Sequence, residues 1–202
     1  QQRLVAMVQQ NAQRLSRIVD EILDVARVEH LGASAAGVNL PLDDSVRAMC
    51  GEWTSQHRNP QAVLLSLAAG TREVRFDPEH LRRVLVNLLD NAWQHADHAR
   101  PIQVSTSLNG KGAAVLQVWS EGPQLEQTVQ RHLFEPFFSS RSRSSGLGLY
   151  ICRELCERHR ATISHERLSR YQENRKVGGN AFTVTFESRE DSASRAAPVS
   201  VQ

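Results

Sequence analysis

The chain has little of what marks nucleic-acid-binding, membrane-spanning or disulfide-stapled proteins. Its 202 residues carry a formal net charge of only +2, too small a field to draw in nucleic acid or a lipid surface. No apolar run approaches the roughly 20 residues that a membrane helix needs, and the start lacks the basic, apolar and small-residue succession of a signal peptide. A cytoplasmic location is therefore expected for this stretch, with no nucleic acid and no membrane contact. Cysteine is scarce as well, with three in all. Cys152 and Cys156 stand a helical turn apart, the spacing of a metal pair or a bridge, but no companion pair of ligands accompanies them. Reduced thiols packed as small hydrophobes are the expectation. At 40% hydrophobic residues the length permits one good core and an appended element.

What the chain does have is a helix with two working faces. In the run Asp77 to Ala92, Leu81, Leu85, Leu88 and Ala92 recur at steps of four, three and four, while Asn87, Asn91 and Gln94 keep the same rhythm on another side. A helix that only coats a core sets Lys, Glu or Arg opposite its apolar stripe. Short amides there suit a site where a metal ion and phosphates require neutral oxygen ligands and N–H donors; taken alone, the run also reads as an ordinary amphipathic helix with incidental asparagines. Downstream, Leu133-Phe134-Glu135-Pro136-Phe137-Phe138 is followed by Ser145-Gly146-Leu147-Gly148-Leu149-Tyr150-Ile151, which opens a second apolar-periodic helix. Glycines entering a helix let backbone N–H groups approach a phosphate at the positive end of the helix dipole.

The remaining order follows from periodicity and turn chemistry. A linker over 32–37 precedes a short strand near Val38 to Leu40, a helix from Asp43 to His57 and strands near Ala62 to Leu67 and Glu73 to Phe76. Ile102 to Leu108 and Ala113 to Trp119 alternate around Asn109-Gly110-Lys111-Gly112, a hairpin signal. A short helix from Glu126 to Phe134, a helix from Gly146 to His159 and strands near Ala161 to Glu166 and Asn180 to Glu187 complete the expectation. At the start, Leu4, Val8, Asn11, Leu15, Ile18, Ile22 and Val25 advance in strict alternation of four and three, a heptad seam suited to a helical bundle. Residues 188–202 have the Ser, Ala and charge content of a disordered tail.

The paired-Asn helix, the Phe-Glu-Pro-Phe-Phe segment and the glycine turn, in that order, resemble the ATP-binding domain of sensor histidine kinases. That is the Bergerat or GHKL fold shared with Hsp90, type II topoisomerases and mismatch-repair ATPases. In the resemblance Asn87 to Ala92 is the N box, Phe134 to Phe138 the F box and Ser144 to Leu149 the second glycine box. The implied fold is α+β, a two-layer α/β sandwich over 38–187 preceded by one long helix of a dimeric bundle over 1–31. The implied activity is transfer of the ATP γ-phosphoryl group to a bundle histidine, for relay to an aspartate of a response regulator. The implied cofactors are ATP and Mg2+, and the implied partners are a second copy of the chain, through the bundle helix, and a response-regulator receiver domain. Residue by residue, Asn91 corresponds to the magnesium ligand and Asn87 to a second polar contact, the two being the catalytic pair. Gln94, His95, Ser120, Gly122, Phe134, Arg141, Arg143, Ser145, Gly146, Leu147, Gly148 and Leu149 fall on the cofactor-binding positions.

Several positions depart from that pattern. Hydrolytic relatives carry a water-activating Glu where this chain has Asn87, which cannot take a proton at neutral pH. Gln94 and His95 stand where a cation and an aromatic are usual, leaving Arg141 and Arg143 in the short lid as cations for the phosphates. That lid is similar to those of kinases that serve nitrogen-regulation or pilus-gene regulators. The first glycine box, Val118 to Leu125, has Ser120 in place of an adenine-binding Asp and Gln124 in place of its second Gly. Glu121 is adjacent, although neighbouring strand residues face opposite sides. Arg160 replaces the Gly that commonly ends the last helix. The phosphoacceptor motif is absent: His30 lacks its surroundings, and His57-Arg58-Asn59-Pro60 lies in a polar turn, so the chain is expected to be a piece of a longer kinase. A domain that keeps the fold but binds nucleotide weakly, and works as a dimeric binding module, stands as the alternative.

Overall fold

Alternating strands and amphipathic helices separate cleanly along the chain, and the computed structural model describes residues 19, 37–95, 100–138, 145–172 and 175–187. The expected bundle helix over 1–31, residue 19 apart, the lid with Arg141 and Arg143, and the tail over 188–202 lie outside those residues. Strand β1 (Val38–Pro41) leads into helix α1 (Leu42–Gln56), followed by β2 (Val63–Leu67), β3 (Glu73–Phe76) and helix α2 (Pro78–His95). Then come β4 (Ile102–Leu108), β5 (Ala114–Glu121), helix α3 (Gln127–His132), helix α4 (Gly148–Arg158), β6 (Thr162–Gln172) and β7 (Arg175–Thr185). A five-stranded mixed sheet runs β2-β4-β5-β7-β6, in which only the β2–β4 pair is parallel, and β1 pairs with β3 in a separate antiparallel ribbon.

The sequence dictates which face of the sheet is covered. Val104, Leu116, Val118, Phe182 and Val184 occupy alternate strand positions and pack with Val46, Met49 and Trp53 of α1, Leu81 to Leu89 of α2 and Ile151, Cys152 and Leu155 of α4. Each such large side chain removed from water contributes about 1.5–3 kcal/mol, so the helical layer cannot detach without losing the core. Cys50, Cys152 and Cys156 are buried, unbridged thiols of this core. Asp77 caps the start of α2, its Oδ1 accepting the N–H groups of Glu79 (2.9 Å) and His80 (3.0 Å), with Pro78 at the first helical position. Buried Asp43 accepts the Gly70 N–H at 2.8 Å and the Thr106 hydroxyl, tying α1 to the loop after β2 and to β4, a long-range network with no local sequence signature.

The last hairpin is longer than its sequence suggests. Strands near Ala161 to Glu166 and Asn180 to Glu187 are the expectation; β6 and β7 instead pair over eleven residues each. At Gly179, within β7, a Cβ would run into the Trp119 ring. The missing side chain admits that indole, which is fully buried on the back face of the sheet with Val177, Ala181 and Leu168. Trp119 Nε1 donates to the Leu168 carbonyl at 3.2 Å, and the Arg170 guanidinium lies 5.1 Å from the ring centroid. At the end of α4, Arg160 adopts φ +57°, the left-handed conformation that Gly would take without steric cost.

The start of α2 and the end of α4 meet through His80 Nδ1 and His159 Nε2, 2.8 Å apart, with His159 tilted over Phe76. Burial, the proximity of His80 and the Arg158 charge pull His159 down to about 4, against an opposing pull from Asp77. Burial and the charges of Arg158 and Arg83 lower His80 too, again against Asp77. A histidine whose folded-state pKa lies below its unfolded value of about 6.5 leaves stability unaffected above that pH. Stability then falls as the solution is acidified from about 6.5 toward about 4. Thermal denaturation across that window is expected to show a falling midpoint, and His159→Phe should flatten the dependence; an unchanged slope in that variant would contradict the pairing.

Candidate functional site

Helix α2 carries the amides and places Asn87 beside the glycine turn. With Leu81, Val84, Leu85, Leu88, Leu89 and Ala92 buried, Asn87 and Asn91 are half-buried on the flank, His95 is half-buried at the last turn and Gln94 is exposed. The Asn87 Nδ2 donates to the carbonyl of Gly148, the first residue of α4, at 3.3 Å, and a Cβ on Gly148 would lie 3.8 Å from the Asn87 carboxamide carbon. One turn further along α4, the Cys152 thiol donates to the Val84 carbonyl at 3.7 Å. Burial pushes that thiol up to about 12 even though a hydrogen bond with Asn87 works the other way, so Cys152 is a packing group with no thiolate character at neutral pH.

The glycine turn is built against the aromatic segment. Gly146 has φ +73°, and a Cβ there would lie 2.6 Å from the Phe137 carbonyl carbon and 2.7 Å from the Phe138 nitrogen, so only glycine fits this backbone crossing. Phe137 itself has φ +62° and is 70% exposed, which puts it outside the core. Phe134 packs on the core and meets Phe182 edge-on at 6.5 Å, whereas Phe138 lies 5.4 Å from the His132 ring. Ser145 Oγ accepts the Leu147 N–H at 3.2 Å. The Leu147 side chain is buried in the core, and that of Leu149 packs on it, so these two offer backbone rather than side-chain contacts to a ligand.

At the other end of α2, the first glycine box is held by the long hairpin. Ser120 is 7% exposed on the core-facing side of β5, directly across from Asn180 of β7. Glu121 turns the other way, as alternation requires, and pairs with Arg175 at 3.5 Å. Gly122 donates to the Gly178 carbonyl at 3.4 Å and accepts from Arg167 at 2.6 Å, and a Cβ on it would lie 3.3 Å from the His95 carbonyl. Gln124 does not adopt positive φ, so the box makes a turn that needs no second glycine.

Two residues that sequence reasoning passed over complete this end. The Asn180 Nδ2 donates to the Pro123 carbonyl at 3.0 Å, and its Oδ1 lies 3.2 Å from His165 Nε2. Burial lowers the His165 pKa, the hydrogen bond to Asn180 notwithstanding, so the ring is neutral near pH 7. The sequence places Asn180 at the start of a strand; only the β5–β7 register reveals that it stands beside Ser120. The structure thus brings Asn87 together with the turn over Ser145 to Leu149, and His95 with Gly122. His57, in the polar turn, is engaged elsewhere, stacked 3.8 Å from the Trp53 ring.

Residues 76–190 match the family model described as histidine kinase-, DNA gyrase B-, and HSP90-like ATPase. The Pseudomonas aeruginosa sensor protein kinase PilS is 32% identical over 188 residues, 91% of this chain and 33% of that protein. The Escherichia coli K12 sensor histidine kinase ZraS is 29% identical over 162 residues, 79% of this chain and 34% of that one. The chain therefore spans about a third of the length of these curated relatives. Among solved structures, the Acinetobacter baumannii histidine kinase AdeS superposes with TM-score 0.68 at 19% identity, covering 94% of this chain and 86% of that one. Full-length ShkA in complex with AMPPNP superposes with TM-score 0.66 at 18% identity, covering 93% and 40% respectively. At these identities the structural likeness concerns the fold.

The two glycines of the turn differ in what they tolerate. Gly146→Ala is expected to destabilise the protein by about 1–3 kcal/mol, because a Cβ meets backbone that cannot move aside. Gly148→Ala, whose Cβ meets ordinary contact distances at the start of a helix, should be neutral or slightly stabilising. Urea denaturation of both variants checks this, and equal effects would contradict the crossing at Gly146.

Proposed function

The chain belongs to the family of histidine kinase-, DNA gyrase B-, and HSP90-like ATPases, and from that premise we propose that it is the ATP-binding catalytic part of a sensor histidine kinase, transferring the γ-phosphoryl group of ATP to a bundle histidine. The observation that carries the reading is Asn87, a neutral amide bonded to the first residue of α4 at the glycine turn. A carboxylate there would be able to activate water; a carboxamide has no basic oxygen at neutral pH. The nearby acids are committed elsewhere, Asp90 accepting from Trp53 Nε1 at 2.8 Å on the α1 side and Glu121 pairing with Arg175 on the back of the sheet. A delivered imidazole then becomes the favoured acceptor, and catalysis consists of positioning and charge neutralisation.

The residues present fit a magnesium nucleotide. Asn91, one turn beyond Asn87 on α2, offers a neutral oxygen to a hard cation that keeps most of its water and phosphate ligands. When bound, magnesium neutralises charge on the phosphates. The turn over Ser145 to Gly148 presents backbone N–H groups at the start of α4, Arg141 and Arg143 supply cations, and Ser120, Gly122, Gln94 and His95 border the opposite end. The heptad helix over 1–31 pairs with a second copy in a bundle, and a response-regulator receiver domain accepts the phosphoryl group in turn. No helix among the described residues is long and apolar enough to cross a membrane. A second reading, a weakly binding regulatory module, draws support from Ser120 and Gln124 in the first glycine box.

Incubation with radiolabelled ATP, magnesium and a separately supplied two-helix bundle should label the bundle histidine. Asn91→Ala is expected to lower transfer by on the order of 100-fold. Transfer by that variant at the wild-type rate would refute the catalytic assignment.

A further inference from the structure

Among the groups that the kinase reading leaves without a task, the Asn180 side chain is the most tightly specified. It is 9% exposed, faces the same side of the sheet as Ser120, and has contacts at both ends of its carboxamide. The Pro123 carbonyl can only accept, so the NH2 group must be the end that faces it. The oxygen then faces His165, which must present its Nε2 proton. The amide is thereby locked in one orientation. An amide has two N–H donors and two acceptor lone pairs. One of each is spent on these contacts, leaving one donor and one acceptor for a ligand. Gly122 leaves the space beside the Nδ2 without a side chain; a Cβ there would lie 3.7 Å from it.

Resting on the nucleotide-binding reading, we propose that Asn180 is the residue that reads the base of the nucleotide, selecting adenine where the chain has a serine at the first glycine box. Adenine presents an amino donor beside a ring-nitrogen acceptor, the complement of a carboxamide edge. Guanine presents the reverse on its Watson–Crick edge, and accepting it would require the amide to flip. A flip sets the Asn180 oxygen against the Pro123 carbonyl oxygen, two acceptors facing each other, which no histidine tautomer relieves. His165 acts as a positioning residue, holding the amide through its Nε2 proton. Ser120 is a neighbour of the base with one hydroxyl, not the group that discriminates. The pinned turn over Glu121 to Gln124, fastened by Arg167, Arg175 and Asn180 itself, keeps this edge fixed.

The test is calorimetric titration of the whole chain with magnesium complexes of ATP, GTP and purine riboside triphosphate, which lacks the amino group of adenine. The wild type is expected to prefer ATP over both by about tenfold or more. Asn180→Ala should abolish that preference, while Ser120→Ala retains it. If Asn180→Ala fails to fold by thermal denaturation, Asn180→Thr, a strand-forming residue with no paired donor and acceptor, takes its place and should also lose the preference. Preference retained without the carboxamide, or lost in Ser120→Ala, overturns the assignment, as does a wild type that binds the three alike. A merely structural Asn180 would weaken all three nucleotides together and leave their ratio unchanged. Absence of any nucleotide binding by the wild type would instead remove the kinase reading on which the assignment rests.

Discussion

Everything at the candidate site depends on α2 and α4 lying side by side on one face of the sheet. Their shared apolar seam, Val84, Leu85 and Leu88 against Ile151, Cys152 and Leu155, is part of the same core that covers Val104, Leu116 and Val184. Because this seam is dry and close-packed, the polar stripe beside it has no freedom of register. Asn87 reaches the Gly148 carbonyl as a consequence, and His80 meets His159 at the far end of the same two helices. Asn87 is held in place by this packing. Such rigidity suits phosphoryl transfer, where catalysis is a matter of position and field more than of covalent chemistry.

The second constraint comes from the long β6–β7 hairpin. Trp119 needs Gly179 diagonally across the β5–β7 pair, and the hairpin that supplies that glycine also supplies Arg167, Arg175 and Asn180 to the end of β5 and the loop after it. The back-face packing of one indole is thus coupled to the shape of the loop on the front. A turn lacking the second glycine is accommodated because its carbonyls and N–H groups are satisfied by the hairpin, without positive φ at Gln124. Ser120 and Asn180 end as cross-strand neighbours, an arrangement that two adjacent strands impose regardless of the identity of either residue.

Much of this was legible in the chain because the signals are local. The spacing of Leu81, Leu85, Leu88 and Ala92 reports the buried face of α2, and the asparagines follow on its flank. Asn109 to Gly112 mark the β4–β5 hairpin. Alternation alone sends Glu121 away from Ser120. Other features are non-local and leave no trace at short range. Gly178 and Gly179 act as packing surfaces for Arg167 and Trp119, roles that require knowing what lies across the strand. The Asp43 to Thr106 contact spans 63 positions, and the pairing of Asn180 with Ser120 depends on register. Composition and period are blind to both.

The central claim is that the two asparagines of α2 and the glycine turn of α4 form a magnesium-nucleotide site despite Ser120. It is tested most directly by calorimetric titration of ATP into the 202-residue chain with and without magnesium. The account predicts saturable binding with a Kd on the order of micromolar, about −8 kcal/mol, strengthened by the metal. Heat indistinguishable from dilution under both conditions, with restored binding in Ser120→Asp, would contradict it and leave a protein that works through contact alone.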